Sequence, residues 1–165
     1  MNAKKIATAG IGIALYVAIS MLLKIPLGVG HIMLDLGYIV FAIYCYIHGS
    51  IIGAIVGTGG CILVSLLSTG YFPIGWALGN AFIGVVCGRV VDRPLWARVV
   101  IAVIAVLIGV AGIKTIVESA IWSMPILVKL AKNLVAASAD AAVMAIGTYL
   151  APKVKNLVSK SVPLD

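Results

Sequence analysis

From Leu36 to Gly88 the chain runs for 53 residues without a Lys, Arg, Asp or Glu. A helix that crosses a bilayer needs about 20 apolar residues, so this one stretch has room for more than two. In water it would have to be hidden on every side, and the rest of the chain has nothing to hide it with. Of 165 residues, 63% are hydrophobic and 10% charged, against about a quarter charged in a soluble domain. Such a chain in water would expose apolar patches and aggregate. With lipid as the solvent the same composition is expected. The sequence therefore predicts an all-α integral membrane protein, a single domain over residues 1–165.

Breaks divide the chain into helices. Ile6 to Leu23 is an uninterrupted 18-residue apolar stretch behind Lys4 and Lys5. It is too long for the core of a secretory signal, and no small-residue cleavage pattern follows it before Lys24. It reads as a first spanning helix. His48-Gly49-Ser50 and the run Ser68 to Pro73 interrupt the uncharged stretch, giving helices near 36–48, 50–68 and 73–89. A polar turn with Arg89, Asp92, Arg93, Pro94 and Arg98 precedes a fifth helix near 97–116. Pro125 opens a sixth near 125–150, which Pro152 and the lysines after it are expected to end. The expectation is a bundle of six transmembrane helices.

With six spans both termini share one side. Eight cations fall there, among them Arg89, Arg93, Lys153 and Lys155, and four fall on or toward the other: Lys24, Lys114, Lys129 and Lys132. Short cytoplasmic loops carry the excess of Lys and Arg, so both termini are placed in the cytoplasm of a multi-pass cell-membrane protein. The net charge of +7 is what such loops need against anionic lipid and calls for no nucleic acid. Cys45, Cys61 and Cys87 lie in apolar segments without CxxC spacing, so they read as small buried residues rather than a disulfide or zinc set.

Several residues stand out from this apolar background. Gly10, Ala14 and Ala18 put three small side chains on one face of the first helix, where another helix can approach closely; that helix belongs either to the same bundle or to a partner. On the sixth helix Lys129, Lys132, Asn133 and Asp140 share a face. Ionisable groups at membrane depth face cavities or partners, although the two lysines are near enough to the helix end to snorkel. Asp140, at mid-helix, reads as a structural partner or as an ion-coupling group. The segment Lys24 to Asp35 is a long loop with Pro and Gly, of the kind that forms binding lids. His31 and Asp35 lie toward its end. Phe72, Trp76 and Asn80 are spaced i, i+4, i+8 on the fourth helix, and Tyr71 and Trp76 suit either an interfacial belt or a stacked planar ligand. Glu118 and Trp122 are expected in the last outward loop, with Glu118 paired to Lys114 or Lys132. No phosphate loop, HExxH or nucleophile with a base is present, so neither catalysis nor a cofactor or metal is expected.

Taken together, Ala14-Leu15-Tyr16-Val17-Ala18, the passage Leu34-Asp35-Leu36-Gly37-Tyr38-Ile39, the glycine-rich Gly49 to Gly60 and Gly75-Trp76-Ala77-Leu78-Gly79-Asn80 resemble the substrate-binding S component of energy-coupling factor (ECF) transporters, across nearly the whole chain. The resemblance implies capture of a vitamin or related micronutrient outside the cell. It also implies docking onto a membrane T component driven by two ATPase subunits, through an AxxxA surface that Ala14 and Ala18 match. Substrate contacts in that family come from the first loop and the outer halves of helices 4 to 6. Here those regions hold His31, Asp35, Trp76 and Asn80, and then Glu118, Lys129, Lys132 and Asn133. The aromatic residues point to a planar ligand and the outer lysines to an anionic one. The rival readings are an assembly subunit of a membrane complex and an ion-coupled carrier acting through Asp140.

Overall fold

A computed structural model describes residues 2–23, 25–26 and 33–161. Helix α1 spans Ala3–Leu22, and its first turn is closed by Asn2, whose side chain accepts from the Lys5 amide, satisfying one of the donors a helix start leaves free. Two short strands follow. β1 (Ile25–Pro26) pairs antiparallel with β2 (Met33–Leu34), so the expected loop carries a small ladder that hydropathy could not show. Helices α2 (Gly37–Thr69), α3 (Ile74–Arg89), α4 (Leu95–Val106), α5 (Thr115–Trp122) and α6 (Ile126–Ser161) complete the chain, with a π-helical stretch, Leu107–Lys114, joining α4 to α5. Four segments are long and apolar enough to cross a membrane: Ala3–Leu22, Gly37–Thr69, Leu95–Trp122 and Ile126–Lys160. Ile74–Arg89 is a shorter apolar helix.

α2 is not one straight rod. Gly49 has φ 76° and ψ −170°, a conformation open to glycine and costly for other residues. The contacts on either side show what this does. A Cβ on Gly53 would meet Cys45, and one on Gly57 would meet Phe41. These pairs straddle Gly49 evenly, so the chain doubles back there into two antiparallel rods, 37–48 and 50–69. The break read at His48-Gly49-Ser50 is therefore a tight reversal. At 1.5 Å per residue the first rod covers roughly 18 Å, well short of the ~30 Å hydrocarbon core.

Two sequence expectations are corrected. The fifth helix does not stop near 116: α5, following the π-helical stretch, carries it on to Trp122. Glu118 and Trp122 are thus helical, and Ser123, at φ 50°, ends the helix. Pro152 does not end the sixth helix, which continues through it to Ser161. Proline removes one backbone donor, but the lysines and Leu157 that follow are good helix formers and the ladder continues.

The core is built around Tyr16, Tyr38 and Phe41, all fully buried, with ring centroids 5.8 to 6.5 Å apart in the tilted geometries aromatic pairs favour. Toward the Gly49 end the helices meet backbone to backbone. A Cβ on Gly84 would lie 2.5 Å from the Ala54 backbone, and Gly88 abuts the backbone of Ser50. This close approach needs glycine and seals that end of the bundle. The opposite end is different.

Candidate functional site

At the end away from Gly49 the helices part around a cavity of about 510 Å³, within the size range of small-molecule sites. α1 contributes Ser20, the second rod of α2 contributes Ser65 and Ser68, and Asp35 and Tyr71 come from connecting segments. The remaining walls are Trp76 of α3, Lys114 and Glu118 around the start of α5, and Lys132, Asn133 and Asp140 of α6. A wider mouth of about 410 Å³ shares Tyr71, Lys114, Glu118, Lys132 and Asn133, and adds Trp122, Met124 and Lys129.

The lining is largely fixed by its own hydrogen bonds. Asp35 accepts from the Tyr16 hydroxyl at 2.6 Å, from Ser20 Oγ at 2.5 Å and from the Gly37 amide at 2.9 Å, while its own amide donates to Asp140 Oδ1 at 3.4 Å. Burial pushes the Asp35 carboxyl above its ordinary range, and the bonds from Ser20, Tyr16 and Gly37 oppose that push. Asp35 therefore ties α1, the start of α2 and α6 together beneath the cavity. Trp76 Nε1 donates to the Tyr38 hydroxyl at 3.2 Å, and Tyr38 donates to Asn80 Oδ1 at 2.8 Å. Asn80 also donates to the Gly57 carbonyl at 3.1 Å. This relay orients the indole, and the Lys114 ammonium lies 5.3 Å from its ring centroid, within cation–π range. Asn133 Nδ2 donates to Thr115 Oγ1 at 3.0 Å, and Lys129 bonds Glu118 at 3.1 Å.

The structure brings most of the expected residues together. Asp35, Trp76, Glu118, Lys132 and Asn133 line the cavity and Lys129 lines its mouth. Asn80 is fully buried beneath Trp76 and is outside the lining set. Its amide is taken up by Tyr38 and Gly57, a helix-to-helix role. His31 lies outside the described residues. Phe72 precedes α3 rather than sharing its face, and is half exposed. Glu118 pairs with Lys129 in place of Lys114 or Lys132. On the ion-pair geometry this follows from the extra helical turns to Trp122, which carry Glu118 alongside the first turn of α6.

Sequence reading passed over several lining residues. Ser20, Ser65 and Ser68 gave no signal, because a serine at membrane depth usually bonds its own helix. Lys114 and Asp140 were visible as ionisable groups in apolar helices but not as neighbours. The lining holds three carboxylates, Asp35, Glu118 and Asp140, beside Lys114 and Lys132. With Lys129 at the mouth, three lysines face three acids, so the lysines alone do not single out an anionic ligand. On α1, Gly10, Ala14 and Ala18 are exposed, flanked by exposed Ile11 and Leu15, while Ala9, Gly12, Tyr16 and Ser20 face inward. The small-residue face is therefore not used for packing inside this bundle.

A "UPF0397 protein" of Lactobacillus johnsonii is 30% identical over 88 residues, 53% of this chain and 48% of that protein. One from Streptococcus agalactiae serotype Ia is 32% identical over 85 residues, 52% of this chain and 47% of that protein. The chain thus aligns with about half the length of the curated relatives it matches. The crystal structure of the S component for biotin from an ECF-type ABC transporter superposes with a TM-score of 0.70, covering 94% of this chain and 95% of that one at 15% identity, which shows a shared fold. The family model described as ECF-type riboflavin transporter, S component, matches residues 1–156. The chain belongs to the family of ECF-type riboflavin transporter S components.

Proposed function

We propose that this protein is the substrate-binding subunit of an ECF-type transporter and that its cavity takes riboflavin or a vitamin of the same chemistry, a neutral planar heterocycle with a hydroxylated tail. The observation that carries this is the cavity itself. An oriented indole and Tyr71 stand on its walls, and Lys114, Asp140 and Asn133 line it with both donors and acceptors. Planar rings stack on aromatic side chains, and the serines of α1 and α2 suit a polyol. The balanced charge of the lining favours an uncharged ligand. In this reading the chain is a single binding domain with no catalytic role.

The same proposal places the cavity mouth outside the cell. The two rods of α2 and the shorter α3 count as separate spans, giving six, with both ends in the cytoplasm of a prokaryotic cell. Eight cations against four support that orientation. The exposed stripe of Gly10, Ala14 and Ala18 then serves to dock a membrane T component that two ATPases drive. Small residues let helix backbones approach closely in lipid.

Riboflavin fluorescence provides the test. Purified protein should quench it saturably at one ligand per chain, with competition from close planar analogues and none from a simple polyol. Absence of saturable binding to riboflavin and to other planar vitamins would sink the reading. Replacing Ala14 and Ala18 with leucine should abolish assembly with the T component and uptake, yet leave quenching unchanged. Uptake at the unmutated level would remove α1 as the docking helix. Uptake that persists without any ATPase would favour the ion-coupled alternative through Asp140.

A further inference from the structure

Trp76 stands on the cavity wall, but its one polar atom is turned to the protein behind it. An indole N–H can only donate, and a backbone carbonyl can only accept. The relay behind Trp76 ends in one of each. Trp76 Nε1 donates to the Tyr38 hydroxyl at 3.2 Å, and at the far end the Gly57 carbonyl accepts from Asn80 Nδ2 at 3.1 Å. Two one-way ends leave a single direction for the groups between them. Asn80 gives its amide hydrogens to Gly57, so its oxygen faces Tyr38. Tyr38 receives the indole N–H on its oxygen, so its own hydrogen goes to Asn80 Oδ1, at 2.8 Å. Tyr38 and Asn80 are both fully buried, and neither lines the cavity.

The middle of the relay is itself held fast. The Tyr38 ring packs 5.8 Å from Phe41 and 6.3 Å from Tyr16, so the hydroxyl is carried on the aromatic core of the bundle. A buried donor left without an acceptor is costly, and the indole cannot turn without giving up this bond. The Lys114 ammonium, 5.3 Å from the indole centroid, adds a hold over the ring. We propose that Tyr38 and Asn80 are positioning residues for ligand binding. They touch no ligand. They set the plane of Trp76 and keep its N–H out of the cavity, so that Trp76 meets the ligand with its ring alone. The proposal rests on the reading of the cavity as a vitamin site and extends it to residues outside the lining. Hydrogen bonds to the ligand then fall to other groups, among them Lys114, Asn133 and Asp140.

The test uses the full chain in detergent, with isotopically labelled tryptophan. Three indole N–H signals are expected, one for each tryptophan, and Trp76→Leu identifies the Trp76 signal by its loss. In unliganded wild type that N–H should exchange with deuterium on the order of tenfold more slowly than a free indole in the same buffer. Tyr38→Phe keeps the ring and removes one oxygen, and should speed the exchange by a similar factor. Tyr38→Phe and Asn80→Ala should each weaken riboflavin binding about fivefold. In a Trp76→Leu background, with no indole to hold, neither should weaken it further. A purely structural role would cost the same in both backgrounds, and that result would overturn the proposal. So would a wild-type Trp76 N–H that exchanges as fast as free indole, a measurement that needs no variant to fold. The two readings fail separately. Wild-type protein that binds no planar vitamin sinks the vitamin reading and this proposal with it. Vitamin binding indifferent to Tyr38→Phe sinks this proposal alone.

Discussion

The two ends of this bundle solve opposite problems with the same apolar helices. At the Gly49 end, Gly84 and Gly88 bring α3 against the backbone of α2 with no side chain between them. At the other end Ser20, Ser65, Trp76, Lys114 and Asp140 hold the helices apart around 510 Å³ of space. One end is closed because nothing projects from the backbone. The other is open because polar side chains bond sideways, to Asp35, Tyr38 and Thr115, and leave a gap between them. In lipid, where apolar helices gain little from meeting each other, close backbone contact and hydrogen bonds are what remain to hold them. The sealed end uses the first and the open end uses the second.

Breaking the sealed end should have the largest effect. Gly84→Val places branched carbon against the Ala54 backbone, which cannot move without separating α2 from α3. Loss of monodisperse protein on gel filtration, and ligand binding with it, is the expected outcome. A variant that elutes and binds normally would show that this contact is slack. On the proposed function the open end should behave differently, since its polar side chains face a cavity and not a backbone seam. Asp140→Asn and Lys114→Met should leave elution unchanged and weaken riboflavin binding ~10–100-fold, the range for a hydrogen bond to a charged group. Trp76→Leu should cost about tenfold, the scale of an aromatic stacking contact. If either cavity variant unfolds the protein, the division between the ends is wrong.

The smallest effect concerns Asp35, which belongs to the open end but acts structurally. Burial raises its carboxyl, so the folded state holds a proton that the unfolded chain gives up at the ordinary value of about 3.9. The stability this contributes is present below that value and is lost as pH rises through the raised one. The melting temperature should therefore decline gently upward from about pH 4, and Asp35→Asn should flatten the slope. A slope unchanged by the substitution would assign the pH dependence to another group.

How much of this was readable depended on the interaction concerned. The apolar helical character and the break at Gly49 were visible because hydropathy and glycine act locally. The face shared by Lys132, Asn133 and Asp140 was visible because helical periodicity is local too, and all three line the cavity. Asn80 was visible as a polar group but not as a helix-to-helix bond, since its partners, Tyr38 and Gly57, are remote in sequence. The pairing of Glu118 with Lys129 was misread because the helix runs on through α5 to Trp122, past the end expected near 116. Ser65 was invisible, as a serine in an apolar run looks the same whether it faces lipid or a ligand.

By itself the sequence determined that this chain lives in lipid, where it breaks, which end carries the basic loops, and that the small-residue stripe on α1 could receive another helix. Those properties follow from composition and from spacing within single helices. Only the tertiary structure decided that the stripe is left uncovered, that Asp35 and Asp140 meet across more than a hundred residues of chain, and that Tyr38 bridges Trp76 to Asn80. Each of these is a juxtaposition of separate helices. In a bilayer the apolar surface that might have announced such pairings is the same on every face, so the packing of small residues and the reach of a few polar side chains settled them.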